Sequence, residues 1–187
     1  MVLNGRWAYP FTAPFFLMFL VFGLVPVIYS VYIAFFQWDP LDPSMRTFVG
    51  LEHFRALAQD ANFWLAVRNT FSIWFLATIP QLVLALALAA VLRNPALRFA
   101  TFWRTVLLIP NITSVLAVAI VFGQLFGRDY GMINLVIGAA GFQHVDFVEG
   151  TLASHVAIAT MILWRWVGYN GLIFLAAMLA IPGELYE

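Results

Sequence analysis

RNTFSIWFLATIPQLVLALALAAVLR, residues 68–93, carries no charge between its two arginines and little that would prefer water. A helix needs roughly 20 such residues to cross about 30 Å of hydrocarbon at 1.5 Å per residue. Thr70 to about Leu92 therefore reads as a membrane span that stops at an arginine on either side. Three further stretches read the same way. No charge occurs between Arg6 and Asp39, which gives a first span over about 10–36 with Trp7 and Trp38 where interfacial aromatics sit. Arg104 and Arg128 bound a third over about 105–126, and a fourth over about 152–179 holds a single charge, Arg165.

Hydrophobic residues make up 64% of the 187 and charged residues 10%, and the mean hydropathy is +0.93, more apolar surface than a soluble core of this size could hide. The expected fold is an all-α polytopic membrane helix bundle, one transmembrane domain over 1–187. Every basic residue is arginine and the net charge is zero, so no basic stripe is available for nucleic acid. Without cysteine there is no disulfide, thiolate metal site or cysteine nucleophile. His53, His144 and His155 lack metal-ligand spacing. No nucleophile–base arrangement or phosphate-cradling glycine loop is visible, so an enzyme is not expected and neither is a cofactor.

Arginine placement in short loops sets orientation. The connection RNPALRFATFWR, 93–104, has three arginines and no acid and should face the cytoplasm. That puts the N-terminus inside, loops 37–69 and 127–151 outside, and the C-terminus inside. The glycine-rich stretch 131–142 is too short to cross and reads as interfacial or re-entrant. Prolines 14, 26, 80 and 110 fall inside spans, where neighbouring helices can satisfy the freed carbonyls, so kinks are expected and not breaks.

Arg165 is the sharpest single residue. A charge at mid-bilayer costs about 2.5–3.5 kcal/mol on insertion scales and should face the bundle interior or water. It reads as lining a solute path, or as a structural arginine satisfied by carbonyls, Gln81 or Asn111, or as lying nearer the outer interface if its helix starts late. Trp166 and Asn170, and likewise Arg165 and Tyr169, are i, i+4 neighbours, which sets aromatic faces beside hydrogen-bonding groups. Such a surface suits a sugar, with apolar ring faces and hydroxyl edges; helix packing is the plainer reading. Gln81, Asn111, Thr113, Ser114 and Gln124 read as interhelical hydrogen-bonding groups.

The ending LAAMLAIPGELYE, 175–187, resembles the approach to the EAA loop in the permease subunits of binding-protein-dependent ABC importers. FVGLEHF (48–54), RNTF (68–71), WRTVLLIP (103–110), GMIN (131–134) and LWRWVGYNGLIFLA (163–176) resemble the carbohydrate-uptake branch of that family, in the same order. The resemblance implies a type I importer permease with four of six helices present, its sequence stopping at the first letter of the EAA motif. It implies inward movement of a sugar or polyol across a bacterial or archaeal cytoplasmic membrane by alternating access. The implied partners are two ATP-binding subunits, a second permease subunit, an extracytoplasmic solute-binding protein and membrane lipid. Arg165, Trp166, Tyr169 and Asn170 become substrate-path candidates, and Glu184, Leu185, Tyr186 and Glu187 the start of the ATPase-coupling element.

Two other classes stay open on the residues alone. A secondary carrier or channel would use acids or ion sites inside the spans, and no acid lies in any of them. A membrane scaffold without transport would leave Arg165 purely structural.

Overall fold

The computed structural model describes residues 8–39, 42–128, 130–149 and 152–182. The chain divides into two compact units, Met1–Leu65 and Ala66–Glu187.

In the first unit, α1 (Ala8–Phe19) and α2 (Val25–Ile33) are joined by one π turn, Leu20–Leu24, into a single apolar run, Tyr9–Ile33, long enough to cross a bilayer. The π turn has a local cause. Pro26 has no N–H to give the preceding turn, and the wider i→i+5 spacing absorbs the mismatch without breaking the helix. Ser30 Oγ donates back to the Pro26 carbonyl at 2.8 Å. None of its described residues is buried.

The segment read from sequence only as an outer loop is structured. β1 (Phe36–Asp39) and β2 (Asp42–Phe48) form an antiparallel hairpin, with Phe36 opposite Phe48 and Trp38 opposite Arg46. The Arg46 guanidinium lies 5.5 Å from the Trp38 ring. A lone hairpin is marginal in water. This one is tied to the end of the first span, because Val49 N–H and Gly50 N–H both donate to the Phe35 carbonyl, at 2.9 and 3.2 Å. Gly50 makes the turn at φ +58°, a conformation that costs glycine nothing. Helix α3 (Glu52–Gln59) follows, and a single residue, Asp60, separates it from α4 (Ala61–Arg93).

Helix α4 begins nine residues before Thr70 (70 − 61), so it extends past the expected span at its N-terminal end. Its buried residues Ala77, Gln81, Ala85 and Ala89 recur every four positions, and the three alanines among them let another backbone approach. The approaching helix is α8 (Leu152–Ala180). His155 Nδ1 lies 2.9 Å from Ser72 Oγ near the start of both helices. Further along, Gly171 faces the Ala85 carbonyl, and Leu175 clusters with Ala89 and Leu92. Contacts advance along both helices together, so α4 and α8 run parallel.

Two parallel neighbours require the chain between them to return. Helix α5 (Ala100–Ile112) packs Leu107 against Gly168, and α6 (Val115–Leu125) brings Phe122 within 5.6 Å of Trp164, ring centre to ring centre. Phe126 and Met161 then line one cleft. From α5 through α6 the chain therefore retraces α8 toward its start. It is not the continuous span expected over 105–126, because α5 and α6 meet at 90°. The break has a physical origin in PNITS, residues 110–114. Pro110 withholds one donor, Thr113 takes extended backbone (ψ 141°), and Thr113 Oγ1 turns back onto the Ile109 carbonyl at 2.7 Å. The expectation of kinks without breaks fails here.

Among the described residues, three helical runs are long and apolar enough to span a membrane, or four if the bent pair counts as one. Helix α7 (Met132–Ala139) occupies the stretch read as interfacial or re-entrant. Its Asn134, 1% exposed, clips the surrounding loop: Nδ2 donates to the Arg128 and Val145 carbonyls at 3.1 and 2.9 Å, and Oδ1 accepts Val145 N–H at 2.9 Å. Arg128 joins the same loop through Glu149 at 2.6 Å and Asp146 at 3.2 Å.

Candidate functional site

Helix α8 is where the sequence concentrates aromatic and polar groups, and its packing sorts them. Gly168, Gly171 and Leu175 are buried against α5 and α4. At 100° per residue, Trp166, Tyr169 and Asn170 point away from that packed side, and Arg165 sits at the edge between. Trp166 is 41% and Tyr169 40% exposed, with their rings edge to face at 5.8 Å. Asn170 beside them is half-buried. The structure thus gathers three of the four candidates on one open face of α8.

Arg165 is engaged elsewhere. Its Nη1 donates to the Thr113 carbonyl at 3.0 Å. That carbonyl stands at the broken C-terminus of α5, where the last carbonyls lack intrahelical partners and a cation is favoured. The helix carrying Arg165 starts at Leu152, thirteen residues earlier (165 − 152), so it does not begin late. Among the described residues its hydrogen bond goes to this carbonyl and not to Gln81 or Asn111. Gln81 is 6% exposed, and its Nε2 has no partner among the described residues. A second arginine does similar work: Arg104 Nη2 reaches the Leu92 carbonyl at the end of α4, at 3.3 Å.

Two clefts lie along α6, one of them reaching the bend. One of about 440 Å3 is walled by Thr113, Val118, Val121, Phe122 and Trp164, and the other, of about 360 Å3, by Phe122, Phe126, Phe147 and Met161. Both are mostly apolar, and Trp166, Tyr169 and Asn170 line neither. Glu184, Leu185, Tyr186 and Glu187 lie outside the described residues. Among the described residues no three His, Asp or Glu side chains gather as a metal site would require.

No protein-family model matches the chain. Curated proteins do. The arabinooligosaccharides transport system permease protein AraP of Bacillus subtilis (strain 168) is 35% identical over 96% of this chain and 56% of its own length. The lactose transport system permease protein LacF of Rhizobium radiobacter is 34% identical over 95% of this chain and 59% of its own. Its homologues are sugar ABC transporter permeases. The chain spans a little over half the length of these permeases. A solved chain of the bacterial alginate ABC transporter, crystallised with an alginate pentasaccharide-bound periplasmic protein, superposes with a TM-score of 0.77 at 22% identity. The match covers 97% of this chain and 60% of that one. It carries the fold, a membrane helix bundle like that of the permease homologues. The permease homologues and the apolar helices make this a multi-pass membrane protein.

Sequence reasoning missed what organises the site. Gly168 and Gly171 appeared only inside a longer family-like string, although two glycines three apart in a membrane helix signal a close backbone approach. Thr113 was grouped with general interhelical glue, although Pro followed by Asn, Thr and Ser carries a turn signal. His155 lacks metal-ligand spacing, and no sequence signal pairs it with Ser72, 83 residues away.

Proposed function

We propose that this chain is the membrane part of a permease subunit in an ATP-driven importer that moves a sugar or polyol across the cytoplasmic membrane by alternating access. The supporting observation is the open face of α8, where Trp166 and Tyr169 present ring faces beside the amide of Asn170 at mid-helix. Aromatic faces take the apolar faces of a sugar ring and the amide takes its hydroxyls. Homology to transport proteins for arabinooligosaccharides and lactose favours that ligand class over an ion. Arg165 borders the same path.

The working assembly pairs this subunit with a second permease, two ATP-binding subunits that hydrolyse ATP, and an extracytoplasmic solute-binding protein. Glu184, Leu185, Tyr186 and Glu187 begin the segment that docks on the ATPase. The N-terminus is cytoplasmic and the hairpin and the 127–151 loop lie outside, a reading that the acid-free arginine loop supports.

Deleting the gene and measuring uptake of labelled oligosaccharides tests the function. Uptake of at least one sugar should vanish, and the tagged subunit purified from detergent should bring an ATP-binding subunit with it. Unchanged sugar uptake with no ATP-binding subunit recovered would overturn the proposal.

A further inference from the structure

Helix α3 has two faces. Counting 100° per residue, Leu51, Phe54, Leu57 and Ala58 fall on one side, and Glu52, Arg55 and Gln59 on the other. Leu51, Phe54 and Leu57 are all substantially exposed, so an apolar stripe lies open on a short helix outside the spans.

Both ends of α3 are anchored where a membrane span ends. At one end the Phe54 ring packs 5.6 Å from Phe35, and His53 Nε2 lies 3.2 Å from the Phe36 carbonyl, at the foot of the first span. At the other, Asp60 alone joins α3 to α4. Asp60 Oδ1 accepts Asn62 N–H at 2.8 Å, and Trp64 Nε1 donates back to the Ala58 carbonyl at 2.8 Å. These bonds fix the turn and set the exposed Trp64 ring beside the end of α3, where a membrane-interface tryptophan sits. The apolar stripe is continuous, through Phe54 and Phe35, with the exposed apolar surface of α2, which carries Ile28, Val31 and Tyr32.

We propose that α3 lies in the plane of the bilayer interface as a lipid-seated helix. Leu51, Phe54 and Leu57 sink toward the acyl chains, and Arg55 and Glu52 face headgroups and water. Its occupant is lipid, not a second polypeptide: the apolar surface it extends belongs to a membrane span, and its opposite side is charged.

The absence of native cysteine makes the test direct. Single cysteines at Leu57 and Gln59, on nearly opposite faces, leave the Phe54–Phe35 contact untouched. Spin-labelled and reconstituted in phosphatidylcholine–phosphatidylglycerol vesicles, they are compared for collisions with oxygen, which concentrates in lipid, and with a water-soluble nickel chelate. The oxygen-to-nickel ratio at 57 should exceed that at 59 several-fold, and a scan from 51 to 59 should oscillate with a period near 3.6. High nickel access at both positions would overturn the proposal, as would low access of both probes at 57, the mark of a covering protein.

Discussion

Gly168 in α8 lies so close to the Leu107 carbonyl in α5 that a Cβ added at Gly168 would overlap the oxygen. The obstruction is backbone, so no rotamer change relieves it. Gly168→Ala should push α5 away from α8 and destabilise the bundle by at least the usual overpacking cost, about 1–3 kcal/mol. Gly171→Ala should be far milder, because its new Cβ would meet the Ala85 carbonyl at 3.4 Å, ordinary contact. Thermal unfolding of the two variants in detergent checks the order.

Arg165 separates two roles that the sequence left merged. Removing the guanidinium strands the part-buried Thr113 carbonyl at the bend, at a cost of no more than the about 1–3 kcal/mol of a fully buried unsatisfied group. Arg165→Ala should therefore lower stability. Arg165→Lys should recover most of it, since an ammonium can still donate to one carbonyl. Uptake should recover less than stability with lysine, because the fork geometry that could also meet a solute is gone. Equal recovery of both would assign Arg165 to the bend alone.

The Ser72–His155 pair looks like the bolt between α4 and α8, but magnitudes assign it a minor part. Interhelical hydrogen bonds in membranes average about 0.6 kcal/mol. Ser72→Ala should cost about that much by unfolding in mixed micelles, whereas Ala85→Leu, which blocks the approach of Gly171, should cost several times more.

The loop around Asp146 should respond to acid. The Val148 N–H bonded to the Asp146 carboxylate, helped by the Glu149 N–H and by Arg128, holds Asp146 below its ordinary value of 3.8, with desolvation opposing. A depressed carboxyl stabilises the loop above its unfolded value, and that contribution disappears as pH falls through the folded one. A spin label at the exposed Phe142 should stay immobile from pH 7 to about 4 and loosen below that. Asp146→Asn should loosen it at every pH.

Helix class was legible because charge-free runs of this length have few other uses. The bend at Thr113 was not, because hydropathy is blind to direction: Thr105 to Phe126 is equally apolar straight or folded at 90°. The hairpin was hidden for a different reason. Phe36, Trp38, Arg46 and Phe48 pair across strands of only a few residues, too short for a clear alternation, and gain support from the Phe35 carbonyl that no pattern displays. The candidate residues on α8 were found by type and spacing. Which of them share a face followed only from Gly168 and Gly171, whose lack of a side chain decides what α8 packs against.

The open face of α8 as a solute path is the central claim, and cysteine reactivity at Asn170 tests it most directly. In the assembled transporter, a single cysteine there is treated with a charged methanethiosulfonate reagent, with and without the transported sugar. The account predicts reaction from water, slowed by sugar and altered when ATP is bound. A cysteine that ignores the reagent, the sugar and ATP alike, as a lipid-facing position would, contradicts it.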